Sequence, residues 1–177
     1  DVCDAVGAGA PGENTWVLKS LIEEGADLTS YTVIRDEAAT RNAFESNVGT
    51  TLTLTVGATL EKEFNRPLEI TGTVVGKKED KRGKMVVMKN RGVHVVLMEV
   101  AETAWKPAFW KEMGLSPWNA DIIVVKSIYH FRWYYVLHNR KTVFVVTPGT
   151  TDVDVFNLRF KHISRPIYPL DDIDSWR

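Results

Sequence analysis

Asp1 and Asp4 stand three residues apart at the head of the stretch DVCDAVGAGAPGENT, where Gly7, Gly9 and Gly12 punctuate a run of small residues. Two carboxylates can take up protons or hold a cationic or amide group, and glycines let backbone N–H groups approach a ligand closely. The stretch runs straight into a helical pattern, and a helix N-terminus favours an anion through its unpaired N–H groups and its dipole. It is not a Walker A loop, because the Gly-Lys-Ser/Thr ending is missing. It is not a dinucleotide fingerprint either, because no strand precedes it. On spacing alone, a structural loop and a ligand loop both stay open. A second group follows an apolar run in VVKSIYHFRWYY, where His130 and Arg132 come just after Lys126 and Ser127. An imidazole gives or takes a proton near neutrality, and a guanidinium can grip a carboxylate through two parallel hydrogen bonds.

Other chemistries find less support. The imidazoles are His94, His130, His138 and His162, with no HExxH and no His-x-His. On a helix His130 and His138 would lie roughly 12 Å apart along the axis, too far to share one ion. Cys3 is the single cysteine, which rules out an internal disulfide and a cysteine-based zinc site. The sequence thus speaks against a complete metal site within this chain. There is no GxSxG elbow for a serine nucleophile. A net charge of −1 gives no field that would draw nucleic acid or an anionic membrane. The cluster GKKEDKRGK is diluted by Glu79 and Asp80 and reads as a solvated hairpin tip. No apolar run approaches the ~18–20 residues of a membrane span, and no signal peptide is visible. The expected setting is the reducing cytoplasm. Because the sequence opens on Asp1 in the middle of a motif, a fragment or excised domain is expected.

The elements that must position these groups follow from periodicity. With 177 residues and an apolar share of 44%, the chain can build one real core. In region 1–47, Val17, Leu18, Leu21 and Ile22 share a helical face, SYTVIR is a short strand, and DEAATRNAFES is a helix capped by Asp36. Glu13 is placed in the first helical turn, and Gly25 at the helix stop. From about 49 to 100, TTLTLTV alternates strictly and is followed by LEITGTVV, KMVVMK and VHVVLMEV. That is an antiparallel meander, open to closure as a small barrel or sandwich. Gly92 in KNRGV is placed at a positive φ. From 101 onward, PAFWKEMGL is a short helix begun by Pro107, and DIIVVK is a strand covered on both faces. SIYHFRWYYVLHN is a helix capped by Ser127, and KTVFVVTPG is a further strand. RPIYPLDDIDSW is extended. The fold class is mixed α/β: a buried βαβ frame carrying an inserted antiparallel meander, in one domain spanning 1–177.

Three motifs, DVCDAVGAGAPGENT, VVKSIYHFR and TPGTTDVDVFNLRFKHISRPIYPLD, occur in an order and spacing that resembles the C-terminal domain of the microcystinase C-like (MlrC-like) metallopeptidases. The likeness runs from Asp1 to about Asp171. It implies a two-domain, zinc-binding parent whose N-terminal domain carries the metal ligands, so that this chain itself would hold no metal. It also implies that the glycine-rich segment lies near the domain junction and the active-site cleft. Asp4 matches the Asp of the family's Asp-Asn-Pro-Gly-Gly-Gly stretch, Asp1 matches an acidic position before it, and His130 and Arg132 match its His-Phe-Arg. The chain departs from the pattern at Ala5-Val6-Gly7-Ala8-Gly9, and Glu13 stands where Asp is usual.

On this resemblance the expected function is the C-terminal half of a zinc-dependent peptidase or amide-bond hydrolase. Asp4 would be general base or electrostatic anchor, and His130 would be a donor to a tetrahedral oxyanion. Asp1, Gly7, Gly9 and Arg132 would bind a small peptide-like substrate. The expected partner is the N-terminal domain of the same parent. A non-catalytic domain that binds a ligand or partner is the alternative.

Overall fold

The computed structural model describes residues 1–152, 154, 156, 158 and 160–173. Among them six strands form one open sheet: β1 (Ser30–Arg35), β2 (Thr51–Val56), β3 (Leu68–Asp80), β4 (Gly83–Asn90), β5 (Val93–Met98) and β6 (Ile122–Ile123). Their order is β2-β3-β4-β5-β1-β6. The meander β2 to β5 is antiparallel, while β1 lies parallel to both β5 and β6. The sheet is therefore mixed and open, and the meander does not close into a barrel. Helices α1 (Trp16–Glu23), α2 (Glu37–Glu45), α3 (Pro107–Glu112) and α4 (Phe131–Tyr134) complete the frame.

Side chains that alternate along the strands feed two cores, one on each face of the sheet. On one face Leu18 and Leu21 of α1 and Ala39 and Ala43 of α2 pack on Ile34, Val86 and Leu97. On the other, Phe109 and Trp110 of α3 and Phe131 of α4 pack on Val33, Val87 and Val96. Tyr135 ties the second layer together. Its hydroxyl accepts from the Trp110 indole N–H at 2.6 Å and donates to the Ala104 carbonyl at 3.1 Å. In β2 the pattern TLTLTV is resolved as a half-buried edge strand, whose outward Thr51 and Thr53 bond Thr73 and Thr71 across the ladder.

Several local expectations hold. Asp36 caps α2, accepting from the Ala39 N–H at 3.0 Å, and Pro107 opens α3. Others need correction. The positive φ in KNRGV falls on Arg91 (52°), not on Gly92. Gly92 is required for another reason: a Cβ there would stand 2.3 Å from the Leu28 carbonyl oxygen. Glu13 lies ahead of α1, which begins at Trp16, and its carboxylate serves a different turn. The hairpin tip at Asp80–Gly83 is ion-paired to α3: Arg82 bonds both Asp80 and Glu112, each at 2.6 Å, and Lys78 reaches Glu112 at 2.8 Å. The Arg82 guanidinium holds the Asp80 carboxyl well below its usual range.

The largest departures lie after residue 124. The expected helix from Ser127 shrinks to the four residues of α4, with His130 in the cap position and no side-chain cap bond. Tyr, Trp and Val lose rotamer freedom in a helix, and little in this segment offsets that cost. The expected strand KTVFVVTPG has no regular secondary structure and joins no sheet. The tail RPIYPLDDIDSW is non-helical through residue 173, as expected, but it turns at 168–170 instead of running extended, the Asp171 N–H reaching the Ile167 carbonyl at 3.0 Å; residues 174–176 of it lie outside the described set. No helix among the described residues is long and apolar enough to cross a membrane.

His94 supplies a pH test of the sheet. Its ring sits edge-on to Tyr31 at 5.3 Å, and its Nδ1 lies 3.0 Å from the Gly92 carbonyl. Burial pushes the imidazole below its ordinary value, only partly offset by that carbonyl. The unfolded chain therefore takes up the proton first. Stability is full above the unfolded pKa and is lost as pH falls through it. Between pH 7 and 5, urea midpoints should drop more steeply for the wild type than for His94→Gln. Equal slopes would count against this placement.

Candidate functional site

The site is assembled where the N-terminal segment meets the end of the β6 run. Asp4 is 2% exposed. Its Oδ1 accepts from the Gly12 N–H at 2.9 Å and its Oδ2 from the Asn14 N–H at 2.8 Å. The same Oδ2 is paired with the ammonium of Lys126, which also reaches the Asn14 carbonyl at 3.3 Å. The two side chains are 3% and 1% exposed, so this is a buried ion pair. Burial presses the Lys126 ammonium below its usual value, against the opposing pull of Asp4 and Glu13. A buried charge with its partner and further hydrogen bonds in place is held in one geometry.

The rest of the loop is stitched down in the same way. The Glu13 carboxylate accepts from the backbone N–H groups of Thr59, Leu60 and Glu61 at 2.7–2.9 Å. Asn65 accepts from the Thr15 N–H at 3.1 Å and donates to the Glu13 carbonyl at 2.7 Å. Asn14 donates to the Pro148 carbonyl at 2.7 Å. Asp1 accepts from the Thr147 hydroxyl at 3.2 Å, and its backbone nitrogen donates to the Val125 carbonyl. Gly149 is forced by close approach, since a Cβ there would lie 2.2 Å from the Cys3 carbonyl oxygen. A shallow cleft results, lined by Asp4, Glu13, Asn14, Glu61, Asn65 and Gly149.

Gly7 and Gly9 stand apart from this scaffold. Both are exposed, and no described atom lies within 4 Å of a Cβ built on either. Gly9 has φ 99° and accordingly favours glycine. Thus the loop is rigid at Gly12–Thr15 and open at its tip.

These residues, in this order, match the family model for the MlrC C-terminus over residues 1–162. The chain belongs to the MlrC C-terminus family. It is similar to microcystinase C from Sphingomonas sp., at 22% identity over 98% of this chain and 35% of that protein. It also resembles a crystal structure from Mesorhizobium sp. BNC1 described as a "putative metallopeptidase", with a TM-score of 0.84 and 24% identity over the whole of this chain and 38% of that one. At that identity the second likeness shows the fold. The chain thus spans between a third and two fifths of the length of these relatives.

Within this MlrC C-terminal fold the site residues named from the sequence separate into two groups. Asp4 is buried at the junction, and the half-buried Asp1 is linked to it through Thr147 and Asn14. His130 and Arg132 lie on and beside α4, both exposed. The His130 ring stands edge-on to Trp105 at 5.1 Å, whereas Arg132 lies over the ring of Phe144 at 5.2 Å. Neither lines the cleft beside Asp4. Lys126 escaped the sequence reading, because a lysine at the end of an apolar run normally reaches out to water. Among the described residues no group of three or more His, Cys, Asp or Glu side chains could hold a metal ion, so the zinc that the family resemblance implies does not fit the donors of this chain.

Proposed function

We propose that this chain is the C-terminal domain of a zinc-dependent peptidase or amide-bond hydrolase, and that it walls a substrate cleft beside a metal held by the preceding domain. The observation that carries the reading is the buried Asp4–Lys126 pair, which clamps Gly12 and Asn14 while leaving the Gly7–Gly9 tip free. A loop held so firmly beneath an open tip can present backbone N–H groups to a substrate carbonyl without reorganising. Both oxygens of Asp4 are engaged, so its role in this reading is the electrostatic anchor and not the base. His130, exposed beside Trp105, donates a hydrogen bond or proton to the oxyanion formed at the amide carbon. Arg132 takes a carboxylate of a small peptide-like substrate. Asp1 sits at the junction, where it can hold a substrate amine.

The test uses the full-length parent. Its metal content is measured, and hydrolysis of short peptides and acylated amino acids is followed. His130→Ala is expected to lower kcat at an unchanged melting temperature, and Arg132→Ala to raise KM for substrates with a free carboxylate. A zinc-loaded parent that cleaves no amide bond in such a panel would sink the reading.

A further inference from the structure

The segment after α4 leaves an unusual surface. Trp133 is 86%, Leu137 76% and Tyr129 65% exposed. Val143, Phe144, Val145 and Val146 follow, consecutive and all exposed. Such a contiguous apolar run is rarely left to water in a protein that functions alone. Its residues have high strand propensity, yet the run lies outside the sheet and is held at Val145 by the Val2 N–H at 3.2 Å. An exposed apolar segment of strand-forming residues that belongs to no sheet invites another chain.

What covers it can be argued from length and place. The MlrC C-terminus is one part of longer relatives, of which this chain matches 35% and 38%. The matched family model describes a C-terminus, so the rest of a longer polypeptide would join this fold ahead of Asp1. Asp1 is bonded to Thr147 at 3.2 Å, and Val2 to Val145. Any polypeptide joined ahead of Asp1 is therefore delivered beside Val143–Val146, at the high effective concentration of a tethered partner. We propose that the exposed side chains of Tyr129 and Val143–Val146, which Arg132 links by lying over the rings of both Tyr129 and Phe144, form the docking surface for the preceding domain of the same polypeptide. The inference rests on the two-domain reading above and names the face that reading requires. Arg132, lying over Phe144, then sits at the rim of the domain junction.

Hydrogen exchange read by mass spectrometry tests this, comparing the 177-residue chain with the full-length parent. Amides of 143–146 should exchange at least about tenfold more slowly in the parent, while those of β3–β5 stay alike. Phe144→Asp should leave the melting temperature of the 177-residue chain unchanged, because the side chain is exposed there, yet speed proteolysis between the domains of the parent. Equal exchange in both proteins overturns the proposal. So does a native polypeptide with nothing ahead of Asp1. A dimer of the 177-residue chain that Phe144→Asp dissolves also overturns it, since a second copy would then be the occupant. Zinc content and hydrolysis are scored separately. A protected face in an inactive parent defeats the functional reading alone, and an active parent with an unprotected face defeats the docking surface alone.

Discussion

Lys126→Met is expected to lower the unfolding free energy by about 3–5 kcal/mol, the usual consequence of removing one partner from a buried ion pair. The magnitude follows from what remains. Asp4 would keep its bonds to the Gly12 and Asn14 N–H groups, but its charge would be buried with no cation. The methionine stem fills the space of the lysine stem, so cavity formation adds little. Asp4→Asn alone should be comparably costly, since it strands the Lys126 ammonium. The double variant discriminates: Asp4→Asn with Lys126→Met should cost at least about 2 kcal/mol less than the sum of the two singles, because neither charge is then left alone. Urea unfolding of the four proteins measures this. Additive losses would mean that the two side chains do not act as a pair.

The same pair shows where sequence reasoning stops. Asp4 was visible as a candidate because an acid in a glycine-rich loop is conspicuous. Lys126 was not, because its partner is 122 residues away and the local pattern shows only a strand end. The fold was legible wherever one residue's neighbours are close in sequence. TLTLTV declared its two faces, Asp36 its cap, and Pro107 its helix start. Legibility failed where an element needs a distant partner. KTVFVV has the composition of a strand, but among the described residues it pairs with no strand of the sheet. Gly92 looked like a turn glycine, yet its need comes from Leu28 on another segment. The apolar run at 143–146 and the short α4 are thus two sides of one observation: local propensities here are not completed within the chain.

The architecture also explains why a drifted glycine stretch can keep its shape. Its conformation is set from below by Asp4, Glu13 and Asn65, which reach the backbone of 12–15 and 59–61 directly. Changes at the exposed tip, Gly7-Ala8-Gly9, leave those bonds in place. The tip is thereby free to vary, while the base is not.

The base can be attacked at one point without touching any charged group. Gly57 follows β2 with φ 80°, and its N–H donates to the Asp36 Oδ2 at 3.0 Å. A Cβ on it would stand 2.4 Å from the Thr15 methyl and 2.7 Å from the Glu13 carbonyl oxygen. The oxygen is backbone and cannot rotate away. Gly57→Ala therefore combines a left-handed conformation with a clash into the loop that carries Glu13 and Thr15, and the expected loss is on the order of 3 kcal/mol. Gly49→Ala is the control. Gly49 has φ 94°, but no described atom lies within 4 Å of its Cβ, so only the conformational part of the cost applies, about 1 kcal/mol. Thermal or urea unfolding reads the difference, and amide exchange at 12–15 should rise in Gly57→Ala and not in Gly49→Ala. If both variants lose the same stability, contact between the β2 end and the glycine-rich loop is not what holds the loop, and the anchoring role falls to Asp4 and Lys126 alone.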